Sequence, residues 1–434
     1  MANNELTVSR DNVLALSRAV GDAPWYAARR LAAWDVYRAT PMPGPTDEPW
    51  RRTPLTGFKW GMAALPPFAA AGTARRAPAA LTRPIAGNQQ AGQILLAGGK
   101  AEIYCLDAPL QDQKVVFTDF LTAARDYPDQ VAKYVGSALA AREGKFAALA
   151  ETLADGGLFV HVPAGVQVAL PLHFSAWLTQ PAQFNRVLIA LDEGASATVV
   201  LDWASPKSPA AALHAVVAEA FVGPNAHLTL VEHQALARNV WHFATERVHV
   251  DRDARVDWIL SAVGSRLTKN FAVVDLEGQG AAAKMSGFYF GDENQHFDYD
   301  TQQNHLVPHT TSDLLFKGVV KDKSRSVWQG MIYVAPGAQK TDGYQANRNL
   351  VLSETAHADS LPGLEILNDD VRCTHGATVG QVDQEHIFYL MSRGLPRAEA
   401  ERLTVGGFFE PVLERIPSEG VRQRLRRAIQ EKMS

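Results

Sequence analysis

The sequence is poor in cysteine and in long apolar runs. Its two cysteines, Cys105 and Cys373, lie far apart in a chain of 434 residues. A disulfide framework uses more cysteines than this, so both are expected to be free thiols in a reducing compartment. No stretch approaches the ~18 apolar residues of a membrane helix, and the amino terminus lacks the charged-then-apolar pattern of a secretory signal. We therefore expect a cytoplasmic protein.

Further absences argue against whole classes of function. The formal net charge is −4 with 20% charged residues, which gives no broad basic field for nucleic acid or an anionic membrane. The sequence has no G-x-x-x-x-G-K-[ST] phosphate loop, so the chain should not itself hydrolyse ATP. It also has no G-x-S-x-G turn of the kind that presents a nucleophilic serine.

Residues 1–155 are predicted to form an amino-terminal helical domain with an extended arm and loops. Apolar residues at roughly helical spacing indicate two short helices between Arg10 and Thr40. Prolines between residues 41 and 50 remove amide donors and favour an extended arm. The Ala-rich composition of Phe117–Leu153 predicts a return to helix, with its last residues packing on the first helices.

The intervening stretch and the centre of the chain have strand character. Composition between residues 57 and 101 favours loops with one short strand around Ile94–Leu96. From Gly156 onward the hydrophobic period changes from 3.6 to 2, which predicts strands. Those predicted after residue 180 are Val187–Leu191, Ala197–Leu201, His227–His233, Arg247–Val250, Val256–Leu260, Lys284–Phe290, Asp313–Val320, Ser326–Val334, Asn349–Ser353 and Leu364–Leu367.

Many strands without intervening helices exclude a doubly wound sheet and leave a sandwich, barrel, propeller or parallel β-helix. The small residues Ala226, Ala254 and Ala282 each precede a strand and are evenly spaced along the chain. Their spacing is near the length of one solenoid coil, although the sequences between these alanines match poorly. It favours the β-helix without excluding the other three architectures.

The tail is predicted to be helical. Asp383 can cap a helix over Gln384–Ser392, and Pro396 can begin a second helix that reaches about Thr404. We expect Gly406 and Gly407 to break that helix, followed by an apolar stripe and a basic last helix. The stripe contains Phe408 and Phe409, which pack on their own domain or contact a partner.

A thiol and an imidazole are predicted to lie side by side near the end of the strands. If Val371–His375 is a strand, Cys373 and His375 point to one face, while Arg372 and Thr374 point to the other. A buried structural role is one reading of this pair, and metal binding is the other. Two ligands cannot complete a four-ligand zinc or iron–sulfur site, so a metal here would need ligands from a second chain.

Other candidates are less specific. His296, Asp298, His305 and His309 are dense enough to suggest a metal site, but Pro308 and the irregular spacing favour structural hydrogen bonding. The alternative function is a β-helix carbohydrate-active enzyme, a lyase or hydrolase. Asp369 and Asp370 would be its candidate acids, but adjacent residues on a strand point to opposite faces.

Three segments carry a family resemblance. These are L-E-I-L-N-D-D-V-R-C-T-H-G-A-T-V-G-Q-V-D at 364–383 with F-Y-L-M-S-R-G-L-P at 388–396, G-M-I-Y-V-A-P-G-A-Q-K-T-D-G-Y-Q-A-N-R-N-L-V-L-S at 330–353, and P-M-P-G-P-T-D-E-P-W-R-R-T at 41–53. Together they resemble the SufD branch of the SufB/SufD family of iron–sulfur cluster assembly scaffolds. The SufB branch has more cysteines and reads H-E-A-T where this chain has H-G-A-T at 375–378.

The resemblance implies a right-handed parallel β-helix over residues 156–380, flanked by the amino-terminal helical region and a carboxy-terminal helical domain over 381–434. It implies a scaffold that is not an enzyme, pairs with SufB through the β-helix and docks the SufC ATPase through the carboxy-terminal helices. A homodimer of the isolated chain and a reduced flavin on the assembled complex are compatible with it.

The resemblance also assigns residues. His375 matches the histidine implicated at the SufB interface, where a transient iron–sulfur cluster is built, and Cys373 matches the cysteine two residues before it. Both are predicted cluster ligands, while ATP is not expected on this chain. The predicted contacts with SufC are Phe388, Tyr389, Arg393, Phe408 and Phe409.

Overall fold

Parallel strands that alternate between two sheets form the central body of the protein. The computed structural model describes residues 8–58, 76–82, 90–416 and 418–433. The strands in these residues are β1 (Gly92–Ala97), β2 (Lys100–Leu106), β3 (Val116–Thr118), β4 (Gly156–Val162), β5 (Leu172–Trp177), β6 (Ala182–Leu191), β7 (Ser196–Ala204), β8 (Ala212–Val222), β9 (His227–Ala235), β10 (Val240–Val250), β11 (Arg255–Ala262), β12 (Leu267–Leu276), β13 (Ala282–Gly291), β14 (His296–His305), β15 (Thr311–Val320), β16 (Arg325–Val334), β17 (Asp342–Val351), β18 (His357–Ile366) and β19 (Arg372–Gln381).

From β4 onward the chain crosses to the other sheet after every strand. The nine-stranded sheet has the order β18-β16-β14-β12-β10-β8-β6-β4-β3, and the ten-stranded sheet has the order β19-β17-β15-β13-β11-β9-β7-β5-β1-β2. Strands two apart in sequence are parallel neighbours, such as β10 beside β8 and β12. This arrangement is a parallel β-solenoid of about eight turns, and the predicted parallel β-helix is confirmed.

The coils differ in length, which explains the weak repeat in the sequence. The coil that leads from Trp241 to its partner Leu267 is shorter than the coil that leads from Arg325 to its partner His357. The spacing of Ala226 and Ala254 matches one coil, because the N–H of Arg255 donates to the carbonyl of Ala226. A repeat of fixed length therefore fits only some of the coils.

The amino-terminal helices cover the outer face of the nine-stranded sheet. The two predicted helices are confirmed as α1 (Arg10–Val20) and α2 (Pro24–Ala39). The proline-rich arm ends in a short 3-10 helix, where the Trp50 ring packs 6.0 Å from the ring of Phe243 on β10. Of the predicted loop region, residues 59–75 and 83–89 lie outside the described residues.

Between the arm and the solenoid, helices alternate with strands. The helices are α3 (Ala79–Thr82), α4 (Ala108–Asp112), α5 (Phe120–Asp126), α6 (Pro128–Tyr134) and α7 (Lys145–Leu153). The strand predicted at Ile94–Leu96 is confirmed as β1, which pairs with β5, while β2, carrying an exposed Cys105, was not predicted. The predicted helical character of Phe117–Leu153 is thus correct only in part, because β3 and turns interrupt it. The three-domain division stays a prediction.

A buried ionic network ties these helices to the solenoid. Arg186 on β6 pairs with Glu151 on α7 at 2.7 Å and with Glu219 on β8, and all three side chains are almost fully buried. The carboxylate of Glu219 also accepts the backbone N–H groups of Gly136, Ala138 and Leu139. Neighbouring guanidinium groups keep the pKa of Glu151 below its usual range, although its burial opposes this.

Three helices follow the solenoid. Asp383 caps α8 (Gln384–Ser392) as predicted, and α10 (Glu419–Lys432) is the expected basic helix. The prediction that Gly406 and Gly407 end the middle helix is wrong, since α9 extends over Arg397–Leu413. Each glycine costs only ~1 kcal/mol relative to alanine, and burial of the apolar side of α9 on the ten-stranded sheet outweighs this. Among the described residues, no helix combines the length and apolarity needed to cross a membrane.

Candidate functional site

The solenoid ends in two strand edges. β18 and β19 are the last strands of their sheets, and each pairs with one neighbour in the described part of the chain. Both strands are long, β18 is half-buried to exposed and β19 is mostly exposed, so the outer edge of each offers a row of N–H and C=O groups to another chain. Exposed apolar side chains accompany the edges, namely Leu364, Ile366, Leu367 and Val379.

Cys373 lies half-buried on β19, on the inner side of the last coil. It packs against the buried cluster of Ile332, Val334 and Ala338, and its Sγ accepts a hydrogen bond from the N–H of Gly343. Burial raises the pKa of the Cys373 thiol, and the N–H of Gly343 counters this only in part. The thiol is therefore protonated at neutral pH until a bound metal displaces the proton.

Gly343 leaves space between the thiol and a second imidazole. A Cβ at this position would lie 3.3 Å from Sγ of Cys373 and 3.4 Å from Nε2 of His305. The interior of the last coils thus brings His305 close to Cys373, although the two residues are far apart in sequence.

His375 is exposed two residues further along the same strand. Because side chains alternate along a strand, it points to the same side as Cys373, while Arg372 and Thr374 point away. Its neighbour in register on β17 is Gln345, which is fully buried inside the solenoid. The structure therefore places the thiol and the imidazole side by side at the edge, as predicted, and their role as ligands stays a prediction.

The solenoid interior becomes polar behind these two residues. One inward-facing column reads Leu172, Val199, Leu230, Trp258, Met285, Leu314, Gln345 and His375 along the ten-stranded sheet. Among the described residues, Oε1 of Gln303, Oε1 of Gln345 and Nε1 of Trp328 are buried without a hydrogen-bond partner. This polar end was not predicted, because it depends on strand register that spans many coils.

The other histidine-rich candidates have internal partners. His296 and Asp298 lie on β14 beside the amino-terminal arm, where Oγ1 of Thr53 is 2.9 Å from Nε2 of His296 and Lys269 is 2.8 Å from Asp298. His305 lies inside the solenoid, bonded to Thr310 and Ser312 at 2.7 and 2.8 Å.

His309 is in a turn, with a φ of 60°. Among the described residues, no three of His296, Asp298, His305 and His309 lie close enough together to hold a metal ion, which supports the structural interpretation of each. Asp369 and Asp370 lie in the bend before β19, and Asp370 pairs with Lys340 at 2.9 Å rather than with another acid.

The predicted partner residues on α8 are exposed. Phe388 and Tyr389 have 72% and 54% of their surface accessible, and the guanidinium of Arg393 lies 5.2 Å from the Tyr389 ring centre. Met391 and Leu403 are also exposed and were not predicted as contacts. A groove of about 520 Å³ lies between α8, α9 and β17.

Phe408 and Phe409 differ from each other. Phe409 is fully buried, with its ring 5.1 Å from that of Phe288 under α9. Its assignment as a direct partner contact does not fit this burial, and the interpretation that it packs on its own domain holds. Phe408 is partly buried, and Nζ of Lys317 donates to its carbonyl and lies 4.7 Å from its ring centre.

These features define a class of β-solenoid with strand edges at one end and an exposed helical surface beside them. Residues 175–408 match the SUF system FeS cluster assembly SufBD core domain, and residues 105–174 match the SufBD protein N-terminal region. The chain belongs to the SufBD family, and its similarity to a SufD protein supports the predicted SufD branch.

The relatives agree with this assignment. The chain is 35% identical over 332 residues to iron-sulfur cluster assembly protein SufD of Bacillus subtilis (strain 168), covering 76% of each chain. It is 30% identical over 344 residues to iron-sulfur cluster assembly SufBD family proteins of Staphylococcus epidermidis and Staphylococcus saprophyticus, covering 77% of this chain and 73% of each relative.

Proposed function

We propose that the chain is a scaffold subunit for iron–sulfur cluster assembly and that Cys373 and His375 bind the nascent cluster. One observation carries this proposal: a thiol and an imidazole lie two residues apart on a strand edge at the open end of the solenoid. Thiolate and neutral imidazole are both competent iron ligands. The iron and sulfide are cargo, bound transiently and passed on.

The rest of the ligand shell comes from SufB. Two ligands from this chain leave the cluster incomplete, and the edges of β18 and β19 offer backbone groups and apolar side chains for a second solenoid. Pairing of two such ends would enclose the site and exclude water from it. Polar side chains in the interior behind Cys373 and His375 would make this enclosed space favourable for charged iron and sulfide.

SufC docks on the exposed side of α8. Phe388 and Tyr389 supply exposed apolar area, and aromatic anchors of this kind dominate many interfaces. ATP hydrolysis then belongs to SufC, because this sequence has no phosphate loop.

Co-expression with SufB and SufC, followed by anaerobic reconstitution and absorption spectroscopy, tests the proposal. We expect a stable complex that develops the visible absorption of an iron–sulfur cluster. A chain that stays monomeric, or a complex that takes up no iron and sulfide, would contradict the proposed function.

A further inference from the structure

A histidine and two carboxylates meet on the outer face of the nine-stranded sheet, away from the edges of β18 and β19. His249 near the end of β10 pairs in register with Asp275 on β12, and Glu277 follows just after β12. One ligand atom from each residue lies within 4.8 Å of the others. We propose that this cluster binds a divalent transition-metal ion, with His249 and Asp275 as direct ligands.

Asp275 is buried and directs its Oδ2 toward His249. Its side chain is 6% exposed, and its Oδ1 accepts a hydrogen bond from Nδ2 of Asn304 at 2.6 Å. Its Oδ2 lies 3.4 Å from Nε2 of His249, yet that nitrogen is buried without a hydrogen-bond partner in the described chain. Two ligand atoms ~2.1 Å from one ion at a tetrahedral angle are separated by about this distance.

Glu277 prepares the imidazole for binding. Its Oε2 lies 2.9 Å from Nδ1 of His249 and can accept the proton of that nitrogen. A carboxylate that accepts Nδ1–H leaves the lone pair on Nε2, the tautomer that metal-binding histidines adopt. Glu277 is thus a positioning residue for His249.

The local charge favours a cation. The carboxylates of Glu143, Asp275 and Glu277 surround the single guanidinium of Arg247, which lies 3.9 Å from Glu143 and 3.6 Å from Asp275. Three negative groups around one positive group leave an excess of negative charge, which a divalent cation neutralises. Imidazole nitrogen combined with carboxylate oxygen suits Zn²⁺, Mn²⁺ or Fe²⁺, with water completing the coordination.

In two other histidine–aspartate pairs of this protein, Nε2 of the histidine is hydrogen-bonded to the aspartate. Nε2 of His227 is hydrogen-bonded to Oδ2 of Asp257 at 2.8 Å, and Nε2 of His161 to Oδ2 of Asp192 at 3.0 Å. In both pairs the nitrogen already has a partner. His249 differs from them because two carboxylates face its two ring nitrogens, Glu277 at Nδ1 and Asp275 at Nε2.

Isothermal titration with Zn²⁺ tests this site in the full chain carrying Cys373→Ser and His375→Ala, which removes the proposed cluster ligands. We expect one Zn²⁺ per chain, with affinity reduced tenfold or more by Asp275→Asn and by His249→Ala. Glu277→Gln should weaken binding by ~10-fold, as loss of an outer partner does at other metal sites. Visible absorption of bound Co²⁺ reports the same ligands independently.

The matched control is His227→Ala, which should leave Zn²⁺ binding unchanged. Far-ultraviolet circular dichroism verifies that each variant keeps its strands. Failure to bind Zn²⁺, or binding that Asp275→Asn and His249→Ala both leave intact, would overturn the proposal. Because the background lacks Cys373 and His375, this result is independent of whether clusters form at the open end.

Discussion

Gly343 lies directly against the Cys373 thiol. Its N–H donates to Sγ, and its missing side chain leaves the space between Sγ and His305. The backbone of a buried strand accepts alanine readily, so the effect of a methyl group here is mainly local. A methyl group would push Sγ outward, toward solvent and away from the buried environment that raises its pKa.

Gly343→Ala should therefore make Cys373 several-fold more reactive toward iodoacetamide, measured in a Cys105→Ser background so that one thiol reacts. Gly376→Ala on β19 is the matched control, because a Cβ there meets no atom within 4 Å. An unchanged rate in Gly343→Ala would show that the glycine does not position the thiol.

Local alternation in the sequence was enough to predict that Cys373 and His375 share a face. Their surroundings could not be predicted in the same way. Gly343 and Gln345 belong to the preceding coil and become neighbours of this pair only through the pairing of β17 with β19. His249 and Asp275 likewise meet through register, across a coil whose length no local pattern reveals.

The carboxy-terminal helices divide into a packed layer and an exposed one. α9 and α10 contribute Phe409, Val412 and Leu425 to a core over the ten-stranded sheet. α8 instead keeps Ile387 inside and leaves Phe388 and Tyr389 outside. Such a division suits a helix whose outer side contacts a partner.

Phe388→Ala and Tyr389→Ala should each weaken SufC binding about tenfold or more, since buried aromatic anchors contribute ~2 kcal/mol or more at interfaces. The measurement is the dissociation constant by biolayer interferometry. Tyr104→Ala, an exposed aromatic on β2 at the opposite edge of the sheet, is the control. An equal loss of SufC affinity in the control, or no loss in the α8 variants, would show that SufC does not dock on α8.

Strands with a clear alternation of apolar and polar residues and helices with clear caps were predicted from the sequence. Elements with neither signal were missed. β8 is rich in alanine and buried on both faces, so it lacks a period of two. β14 consists mainly of polar side chains and is nevertheless mostly buried, because the arm and the interior supply partners. α9 passes through two glycines because tertiary packing outweighs local propensity.

At the scale of the whole molecule, the two ends of the solenoid differ. The first coils are filled with apolar side chains and are covered by β1, β2 and the amino-terminal helices. The last coils bury polar side chains such as Gln303, His305 and Gln345, and they end in strands whose residues are half-buried or exposed. The middle also buries titratable groups, including the stacked rings of His214 and His242.

This pair makes stability depend on pH. Burial lowers the pKa of His242 to about 3 and lowers the pKa of His214 well below its usual range. Both rings are neutral when folded and take up protons near pH 6.5 when unfolded, so their contribution to stability is present above that pH and is lost as pH falls. Asp155 acts in the opposite direction, because burial raises its pKa to about 7.

The free energy of unfolding should fall between pH 7 and pH 5 in the wild type and in His242→Asn. We expect the fall to be about 2 kcal/mol smaller in His242→Asn. Urea denaturation of both proteins at both pH values measures this difference. The opposite contribution of Asp155 is the same in both proteins and cancels in the comparison. Parallel losses in both proteins would mean that His242 is already protonated in the folded chain.

The most direct measurement is the cluster content of the complex with SufB and SufC after anaerobic reconstitution with ⁵⁷Fe, read by Mössbauer spectroscopy. Burial raises the pKa of the Cys373 thiol, which must lose its proton before it binds iron, whereas an imidazole binds iron through a nitrogen lone pair. His375→Ala should abolish the cluster while the complex still assembles, Cys373→Ser should lose only part of it, and His386→Ala on α8 should retain it. A His375→Ala complex that assembles and builds clusters at the wild-type rate would contradict a cluster site at this end of the solenoid.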